Sequence, residues 1–454
     1  MAKKISLLVM DFIVLYISLF LTLLIRYGPK FNNDIWRIHF WPFLFIYFGW
    51  LVVFYIFNLY DLSFKKNLEL FSDVVKSIFI GAIIVAIFFY LVPANITKLK
   101  PMITLVINFF VSIILIYFTR RLFQNLIKIP GLVYNTLIIG FNDHAIKLAR
   151  ALASQKFFGY NLVGVYNEKS STMQKIDDKI TIFNRESLNQ LLKNQNINTV
   201  INTIDLKTDP EILNTLFNSL SLKIKFYNYP GFHERLFNKI PISAIGETWF
   251  LENLSENKKR FYEFIKRLVD LIIPLIVLII ALPFIPLIIL MIKLDSKGPI
   301  FFTQIRTGKE GKTFKAIKFR SMLRDAEQNG PQWAQKNDTR ITHFGKFMRK
   351  TRIDEIPQFL NVIKGDMSLV GPRPERPEFV EALQKEIPFY KERLLVKPGL
   401  TGWAQILGPT YGGSKEETLE KLQYDLYYIK NRTLFMDLGI ILKTINIILK
   451  RQGR

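Results

Sequence analysis

Long runs of apolar residues fill the first quarter of the chain, at positions 5–25, 40–60, 74–92 and 102–118. Each run has about the twenty-residue length that a helix needs to cross the hydrocarbon core of a bilayer. Buried core helices of a soluble protein are the alternative, but four runs in succession leave little polar surface to cover them. The pattern therefore predicts a bundle of four transmembrane helices within residues 1–125.

The basic residues between these runs are distributed slightly unevenly. If the N-terminus faces the cytoplasm, the cytoplasmic segments carry seven Lys and Arg residues and the outer loops carry five. An excess of cations on the inside is the usual bias of membrane proteins, so the sequence predicts a cytoplasmic N-terminus. Asp11 lies within the first run, and we expect it near the interface or paired with a neighbouring helix.

From about residue 134, short strand-like runs alternate with helical patterns. The runs NTLIIG, NLVGVYN, NTVINTI and KIKFYNY are separated by stretches such as DHAIKLARALAS. This alternation is typical of a parallel sheet with helices and predicts a Rossmann-like α/β domain over residues 130–255. The first turn, GFNDHA, has one glycine where a dinucleotide-binding turn needs three, so a regulatory or assembly role is favoured over a nucleotide site.

A further apolar run at residues 271–294 is long enough to span a bilayer but contains Pro274, Pro283 and Pro286. Each proline removes a helix hydrogen bond. A fifth full span would place the rest of the chain on the opposite side of the membrane. A helix broken at Pro283 or Pro286 would instead enter the membrane and return on the same side. The pattern alone leaves both topologies open.

The chain is strongly basic, with 61 Lys and Arg residues against 37 Asp and Glu and a net charge of +24. Such a charge indicates an anionic partner, a class that includes lipid headgroups, phosphate-bearing substrates and nucleic acid. The absence of cysteine excludes disulfides, thiolate metal sites and thiol nucleophiles. Because no groove of interleaved basic and aromatic residues stands out and membrane helices are predicted, we expect no nucleic-acid partner.

Many cations lie after residue 295, where the chain becomes polar and rich in glycine and proline. They include Arg306, Lys318, Arg320, Arg340, Arg349, Arg352, Arg373 and Arg376. A solvated or membrane-facing basic surface explains most single members of this set. Arg373 is more specific, because the prolines of the GPRP run at 371–374 fix its direction. A fixed guanidinium suits bidentate binding of phosphate.

An acidic pair, Asp354 and Glu355, stands among these cations in the run RIDEIPQ. The pair lies at the start of a helix pattern, IPQFLNVIK, which Gly365 closes, so the helix dipole would favour negative charge there. Two carboxylates can hold Mg²⁺, or one of them can attack phosphorus. An isolated Asp-Glu pair is usually surface charge, but the basic cluster and the membrane helices make catalysis an equally good explanation.

The run TRIDEIPQFLNVIKGDMSLVGPRPERPEF, with GPIFFTQIRTGKEGKTFKAIKFRSM before it and KPGLTGWAQI after it, resembles the bacterial polyprenyl-phosphate sugar-1-phosphate transferases. These enzymes are the monotopic phosphoglycosyl transferases of exopolysaccharide and glycan assembly. The resemblance covers about residues 262–450, and the N-terminal helices and middle domain are similar to the large form of the family. It implies a mainly α catalytic domain over residues 260–454, with a re-entrant membrane helix at about residues 268–294.

The resemblance also implies a reaction. A UDP-sugar donates its sugar 1-phosphate to undecaprenyl phosphate, giving undecaprenyl-diphospho-sugar and UMP, with Mg²⁺ as cofactor. By the same resemblance, Asp354 is the nucleophile, kept ionised by its cationic neighbours, and Glu355 is a Mg²⁺ ligand. The residues expected to bind substrate or phosphate are Lys318, Arg320, Arg349, Arg373 and Asp437.

Two positions qualify the resemblance. Pro409 stands where many members of the family have an arginine after the GWAQ run, so another side chain must supply any contact made from that loop. Asp425 matches a further family position, for which a structural role is at least as good an explanation as a functional one.

Because UDP-sugars are cytoplasmic, the resemblance places the catalytic domain on the cytoplasmic face of the bacterial inner membrane and favours the re-entrant topology. UDP-glucose or UDP-galactose is the favoured donor, since the large form is similar to enzymes that use them. A homodimer through the middle domain or the membrane helices is compatible with the sequence. There are two alternatives. One is an enzyme that transfers the group directly, without a covalent intermediate. The other is a non-catalytic membrane scaffold for polysaccharide assembly.

Overall fold

The computed structural model describes residues 2–61, 67–91, 101–126, 133–154, 159–167, 174–176, 180–184, 188, 190–192, 197–206, 209–254, 259–324, 326, 338–409 and 414–449. The chain divides into two compact units, Met1–Phe232 and His233–Arg454. The first unit holds the N-terminal helices and an α/β domain, and the second holds the acidic pair and its surrounding cations.

The N-terminal apolar runs form long helices, as the sequence predicts. These are α1 (Ala2–Tyr27), α2 (Asn33–Ile56), α3 (Asn67–Leu91) and α4 (Pro101–Leu126). Asn32 begins α2 by accepting a hydrogen bond from the backbone N–H of Ile35 at 2.9 Å. Each helix is long and apolar enough to cross a membrane, as is the segment Arg260–Asp295, which fits a membrane protein. Position 92, the end of the third predicted run, lies outside the described residues.

A seam of polar side chains runs through the apolar core that these four helices share. Ser18 Oγ lies 2.7 Å from Ser112 Oγ, and the amide of Asn108 donates to Ser18 Oγ at 3.0 Å. The hydroxyl of Tyr47 donates to Asn108 Oδ1 at 3.2 Å. Polar groups in an apolar bundle must find partners inside the protein, so this seam fixes how α1, α2 and α4 meet.

Asp11 of α1 is paired with Arg120 of α4. The guanidinium Nη2 donates to Asp11 Oδ2 at 2.6 Å, and both side chains are buried. The prediction that Asp11 pairs with a neighbouring helix is confirmed. Asp11 and Arg120 are 109 positions apart in sequence, so the pair ties the first helix of the bundle to the last.

The middle region forms a six-stranded sheet in the order β3-β4-β2-β1-β5-β6. Its strands and helices are β1 (Tyr134–Ile139), α5 (Asp143–Ala153), β2 (Tyr160–Tyr166), β3 (Gln174–Ile176), β4 (Ile180–Phe183), β5 (Thr199–Asn202), α6 (Pro210–Asn218), β6 (Lys225–Asn228) and α7 (Tyr229–Phe237). Neighbouring strands are parallel except β3 and β4, which are antiparallel. The predicted parallel α/β architecture is confirmed.

The turn after β1 contains the glycine that the sequence singles out. Gly140 has a φ of +98°, a conformation that other residues rarely adopt. A Cβ atom at this position would lie 2.7 Å from Thr203 Oγ1 and 2.5 Å from Ile204 Cγ2. The glycine is therefore required by close packing against the segment after β5, independently of any nucleotide.

The second unit is mainly helical, with two small sheets. Its helices are α8 (Glu247–Asn253), α9 (Arg260–Ala281), α10 (Ile285–Asp295), α11 (His343–Thr351), α12 (Gln358–Lys364), α13 (Pro377–Glu386), α14 (Trp403–Leu407), α15 (Lys415–Asn431) and α16 (Leu434–Leu449). Its strands are β7 (Phe301–Thr307), β8 (Thr313–Phe319), β9 (Ser368–Val370) and β10 (Gly399–Thr401). Strands β7 and β8 form an antiparallel hairpin, and β9 pairs with β10 in parallel.

The predicted interruption of the apolar run at residues 271–294 is present. Helix α9 ends at Ala281, a 3₁₀ turn spans Leu282–Phe284, and α10 begins at Ile285. Pro283 lies in that turn, where its missing N–H and fixed φ are tolerated, while Pro274 lies inside α9. Many apolar side chains of both helices are exposed, as a surface that faces lipid requires.

Polar residues of α9 attach this helix–turn–helix segment to the rest of the unit. Asp270 Oδ1 accepts from the backbone N–H of Leu369 in β9 at 2.8 Å. Arg267 donates to the carbonyl oxygens of Val362 and Ile363 at 2.8 and 2.6 Å, at the end of α12. The apolar helix is thus fixed to the elements that flank the acidic pair and the GPRP run.

Candidate active site

Lys318 is positioned by strand β8. Successive side chains of a strand point to opposite faces. Phe319 is buried in a cluster with Ile288 and Ile292 of α10, so Lys318 points the other way. Its Nζ lies 3.1 Å from Glu355 Oε1. Burial lowers the pKa of Lys318, and the negative charge of Glu355 opposes that shift.

The acidic pair is presented by a short turn. Helix α11 ends at Thr351, and Arg352 follows in a left-handed conformation with a φ of 60°. A 3₁₀ turn, Ile353–Glu355, then places both carboxylates in the interior, where Asp354 is 6% exposed and Glu355 is 8% exposed.

The expectation that this pair begins the following helix was wrong. Helix α12 starts only at Gln358, with Pro357 as its N-cap, and has seven residues. The position of its end was predicted correctly, because Gly365 terminates the helix with a φ of 95°. The interior position of the carboxylates therefore depends on the turn and on the left-handed Arg352, and not on the dipole of a long helix.

Three cations surround Glu355. Its Oε1 accepts from Lys318 Nζ at 3.1 Å and from Arg373 Nη2 at 3.4 Å, and its Oε2 accepts from Arg352 Nη1 at 3.2 Å. Burial alone would raise the pKa of this carboxyl, but the three positive charges bring it well below its ordinary value. Glu355 is therefore ionised at neutral pH and holds the cations in place.

Asp354 has the opposite environment. Its Oδ1 is buried and has no hydrogen-bond partner among the described residues. Burial raises the pKa of this carboxyl and the charge of Glu355 raises it further, while Lys318, Arg349 and Arg352 offset part of the rise. That its cationic neighbours keep Asp354 ionised stays a prediction, because Lys318, Arg352 and Arg373 pair with Glu355. The unpartnered oxygen keeps its lone pairs available for an electrophile or a metal ion.

Arg349 and Arg373 reach the acidic pair from separate elements. Arg349 lies in the last turn of α11, and its Nε donates to Ser321 Oγ at 3.0 Å. Arg373 lies in the GPRP run between β9 and α13, and its carbonyl oxygen accepts from Arg393 Nη2 at 2.9 Å. Both side chains line the same cavity as the acidic pair, as the sequence predicts for residues that bind phosphate.

Arg320 is engaged in a structural contact. Its guanidinium donates to the carbonyl oxygens of Ser296 at 2.6 Å, Lys297 at 2.9 Å and Ile292 at 3.5 Å. These carbonyls belong to the C-terminal end of α10 and the residues after it, where helix carbonyls lack partners within the helix. Arg320 also lines the cavity, but both of its Nη groups donate to carbonyls at the end of the apolar helix.

Two acidic residues that the sequence singles out lie away from the acidic pair. Asp437 accepts from Lys266 Nζ at 2.7 Å and from the hydroxyls of Tyr262 and Tyr428, each at 2.8 Å. It is buried in this network and does not line the cavity, so the structure does not bring it to the other predicted site residues. Asp425 Oδ2 pairs with Arg393 Nη2 at 2.9 Å, in agreement with a structural role.

The remaining predicted residues share one cavity of about 280 Å³. Its walls include Lys318, Arg320, Arg349, Asp354, Glu355 and Arg373. Further along the wall, the rings of Phe301, Phe302 and Phe379 give the cavity an apolar part. A volume of this size, with convergent cations and a buried carboxylate pair, suits a phosphate-bearing ligand.

Sequence reasoning missed the roles of three residues. Arg352 appeared only as one cation among many, although its position three residues before Glu355 is a signal for an ion pair. Ser321 and Arg393 carry no comparable signal, because their partners, Arg349 and Asp425, are 28 and 32 positions away in sequence.

Asp354 and Glu355 are residues of the cavity that could hold a magnesium ion. Among the residues that the structure describes, no group of three or more His, Cys, Asp and Glu side chains could hold a metal ion. Mg²⁺ commonly takes one or two carboxylates and completes its shell with water and substrate phosphates. The unpartnered Oδ1 of Asp354 beside Glu355 fits that pattern, since each carboxylate oxygen can accept more than one partner.

Comparison with known proteins agrees with this site. The family described as "Bacterial sugar transferase" matches residues 261–451, which include the helix–turn–helix segment and the cavity. The chain is 32% identical over 332 residues to the UDP-glucose:undecaprenyl-phosphate glucose-1-phosphate transferase of Xanthomonas campestris, covering 71% of this chain and 68% of the relative. It is 30% identical over 365 residues to the undecaprenyl-phosphate galactose phosphotransferase of Salmonella typhimurium, covering 75% and 74%.

A third relative matches over a shorter stretch with higher identity. The UDP-N-acetylgalactosamine-undecaprenyl-phosphate N-acetylgalactosaminephosphotransferase of Aeromonas hydrophila is 45% identical over 209 residues, which is 45% of this chain and about half, 49%, of the relative. The long matches to the Xanthomonas and Salmonella proteins decide the assignment. The chain belongs to the family of bacterial polyprenyl-phosphate sugar-1-phosphate transferases.

Proposed function

We propose that the protein transfers a hexose 1-phosphate from a UDP-sugar to undecaprenyl phosphate, as the first membrane step of exopolysaccharide or surface glycan assembly. The products are undecaprenyl-diphospho-sugar and UMP. The names of the Xanthomonas, Salmonella and Aeromonas relatives support this substrate class. The observation that carries the proposal is the unequal acidic pair. Asp354 has an unpartnered buried oxygen, and Glu355 beside it binds three cations.

The proposed reaction has two steps. In the first, an oxygen of Asp354 attacks the phosphorus that carries the sugar, and the bond from that phosphorus to the bridging oxygen breaks, so that UMP leaves. In the second, a phosphate oxygen of undecaprenyl phosphate attacks the same phosphorus, and the Asp354 carboxylate leaves. Each step forms one P–O bond and breaks one P–O bond, so the enzyme is restored without a net proton transfer.

The cations would act on the phosphates in both steps. Lys318, Arg349 and Arg373 line the cavity around the acidic pair and can stabilise the negative charge on the transferred and leaving phosphates. Arg320 contributes indirectly, since its donors hold the end of α10. Glu355 would hold Mg²⁺, which when bound would neutralise phosphate charge, while the unpartnered oxygen of Asp354 is left for the attack.

A measurement of UMP release tests the proposal. The protein is incubated with Mg²⁺ and a panel of UDP-sugars, each with and without undecaprenyl phosphate. Release over many turnovers that depends on one sugar and on the lipid supports the transferase. Absence of release from every sugar would favour the scaffold alternative, which also predicts that Asp354→Asn still complements a deletion strain.

Trapping of the intermediate distinguishes two-step from direct transfer. A UDP-sugar labelled in the sugar is mixed with the protein in the absence of lipid, and the label on the protein is followed after denaturation. Labelling in the native protein that is absent in Asp354→Asn supports the covalent step. A protein that releases UMP only with lipid and never becomes labelled would use direct transfer.

The names of the relatives supply a set of candidate donor sugars and do not select one of them. The three relatives are named for glucose, galactose and N-acetylgalactosamine. UDP-glucose and UDP-galactose, favoured from the sequence, are therefore tested beside UDP-N-acetylgalactosamine. The donor that gives the highest kcat/KM for UMP release identifies the substrate.

The proposed topology has four membrane-crossing helices and a segment, α9–α10, that enters and leaves on the cytoplasmic face of the inner membrane. The interruption at Leu282–Phe284 supports this arrangement. Because the chain has no cysteine, single cysteines at Lys30 and Gly311 can be labelled with a membrane-impermeant reagent in intact cells. Labelling at Lys30→Cys alone agrees with this topology, and labelling at both positions would support a fifth crossing.

A further inference from the structure

The cavity beside Asp354 joins a charged end to an aromatic end. The charged end holds the acidic pair with Lys318 and its neighbours, and the aromatic end is formed by Phe301 and Phe302 at the start of β7. Phe301 and Phe302 are 47% and 38% exposed, so both rings offer apolar surface to a ligand. A ligand that matches both ends carries a phosphate and a hydrocarbon group on the same molecule.

The pairing of β7 with β8 explains how the aromatic edge reaches the charged end. Phe302 is directly opposite Lys318, and Phe301 is directly opposite Phe319. Residues opposite each other in an antiparallel pair share a face, so Phe302 stands beside the lysine that binds Glu355. Phe301 instead stacks on Phe319, with ring centroids 5.5 Å apart.

This aromatic edge packs against α10 through the buried ring of Phe319. Phe319 is buried in one cluster with Ile288 and Ile292 of that helix, and Arg320 N donates to the carbonyl of Ile300 at 2.9 Å. The opposite side of α10 carries side chains that are exposed by more than half: Leu287, Leu290 and Leu294. The base of the hairpin thus lies at the end of the helix whose surface suits lipid.

We propose that the Phe301–Phe302 edge is the subsite for the first isoprene units of the polyprenyl phosphate acceptor. The hydrocarbon chain leaves the cavity past Phe302, passes over the edge of the hairpin to Phe301 and enters the lipid beside α10, while its phosphate reaches Lys318 and Asp354. The inference deepens the proposed transferase function and rests on it. It adds the surface by which a lipid substrate enters a cavity that also serves a water-soluble donor.

The same rings could in principle stack on the uracil of the donor, and the position of the edge decides between the two ligands. A soluble nucleotide gains nothing from the exposed apolar helix that lies beside this edge. A prenyl chain gains contact along its whole length, because burial of apolar area is roughly additive. The hairpin begins six positions after α10 ends, so the edge is also close to the membrane in sequence.

Separate measurement of the two half-reactions tests this subsite. The first half-reaction is the single-turnover release of UMP from the UDP-sugar without lipid, and the second is transfer from the labelled enzyme to an added prenyl phosphate. For Phe302→Ala we expect an unchanged first half-reaction. We expect about a tenfold loss in kcat/KM for undecaprenyl phosphate and a similar loss for geranyl phosphate, because this short acceptor keeps the first two isoprene units. Phe301→Ala should behave in the same way, and Phe302→Leu should restore most of the transfer.

Phe435→Ala is the matched control, because Phe435 is 88% exposed on α16 and does not line the cavity. It should leave both half-reactions unchanged. A slower first half-reaction in Phe302→Ala, with transfer to lipid intact, would assign the rings to the nucleotide and overturn the proposal. A loss for undecaprenyl phosphate with no loss for geranyl phosphate would also overturn it, because the rings would then contact only later units of the chain. Failure of the native protein in both half-reactions would instead contradict the proposed function itself.

Discussion

The guanidinium of Arg393 donates a hydrogen bond of 2.9 Å to the carbonyl oxygen of Arg373. The same guanidinium binds Asp425 Oδ2 through Nε at 3.1 Å and Nη2 at 2.9 Å, and donates to the hydroxyl of Tyr390 at 2.7 Å. The buried Arg393–Asp425 ion pair thus fixes the backbone of the GPRP run through the carbonyl of Arg373. The side chain of Arg373 reaches Glu355. Arg393 acts as a positioning residue for the cavity.

Removal of the negative charge of Asp425, which pairs with Arg393, should destabilise the folded protein. Asp425→Asn leaves a buried guanidinium without its counter-ion, and we expect the free energy of unfolding to fall by about 3–5 kcal/mol. Glu420→Gln is the control, because Glu420 pairs with Lys239 at 2.7 Å but is 41% exposed. It should change the free energy by about 1 kcal/mol or less. Urea denaturation in detergent measures both, and similar small effects would show that the Arg393 pair contributes little.

The positioning role of Arg393 predicts a separate effect on catalysis. Arg393→Lys keeps the positive charge beside Asp425 but loses the fork that reaches the Arg373 carbonyl. We expect kcat to fall by about 10–100-fold with a smaller change in KM, since a displacement of about 1 Å in a catalytic group has that effect. Steady-state kinetics of UMP release provide the measurement. A loss of activity that tracks loss of folded protein would indicate a purely structural residue.

Asp354→Asn should abolish turnover without loss of stability. As a nucleophile Asp354 has no substitute, so activity should fall by more than about a thousandfold. The pKa of Asp354 is raised by burial, so its ionised form weakens folding above the unfolded pKa, which is about 3.9. The neutral amide should therefore unfold at the same temperature or a higher one at pH 7. This gain should shrink as pH falls toward 3.9, and a large loss of stability at pH 7 would contradict the burial argument.

The raised pKa also sets the pH dependence of the first half-reaction. Asp354 must be ionised to attack phosphorus, so the rate of UMP release should decline with falling pH at values above about 3.9, the ordinary range of an aspartate. The charge of Glu355 contributes to the rise. The residual activity of Glu355→Gln should therefore decline at a lower pH than that of the native protein. Single-turnover pH profiles of both proteins are the test, and an unshifted or upward-shifted profile would refute the coupling.

Local sequence signals predicted much of this fold. The length of the apolar runs gave the long helices, the alternation of short runs gave the parallel sheet, and Pro283 marked the interruption of the apolar segment. The cations brought together at the cavity were also predicted, because Lys318, Arg349 and Arg373 stand in distinctive runs of residues. These features depend on residues close together in sequence, where periodicity and proline chemistry act directly.

Features set by distant contacts could not be predicted. Arg320 is predicted to bind phosphate and lines the cavity, but nothing in the sequence indicates that its Nη groups also donate to carbonyls 23–28 positions earlier. Asp437 was expected at the cavity, but its ion pair is with Lys266, 171 positions away. The unequal pKa values of Asp354 and Glu355 likewise depend on which cation contacts which carboxylate, and adjacent residues in a sequence give no sign of that choice.

Gly298 is predicted to be essential for the contact between Arg320 and the end of α10. It has a φ of +136°, and a Cβ atom there would lie 1.9 Å from Arg320 Nη1. Gly311, with a φ of +80° and open space around it, is the matched control. Gly311→Ala should lower the free energy of unfolding by about 1–2 kcal/mol from backbone strain alone. Gly298→Ala should lower it by at least about 1 kcal/mol more, because the guanidinium must also move.

A double variant isolates the contribution of the arginine. In a background of Arg320→Met, which removes the guanidinium, the additional effect of Gly298→Ala should approach that of Gly311→Ala. Urea denaturation of the four proteins measures the difference. If Gly298→Ala has the same effect with and without Arg320, the clash is not the source of the destabilisation, and the glycine is required by its backbone conformation alone.

Replacing one member of the Asp11–Arg120 pair should lower the free energy of unfolding more than replacing both. Both side chains are buried among apolar helices, so Asp11→Leu or Arg120→Leu alone leaves an unpaired charge and should destabilise the folded state by about 3–5 kcal/mol. The double variant leaves no charge and should be closer to the native protein than either single one. Ser18→Ala is the control, because its loss removes only neutral hydrogen bonds and should amount to about 0.5–1.5 kcal/mol. Unfolding in mixed detergent micelles gives the four values. Additive effects of the two single changes would mean that the ions do not interact, and that each is instead stabilised separately by the polar seam or by the membrane surface.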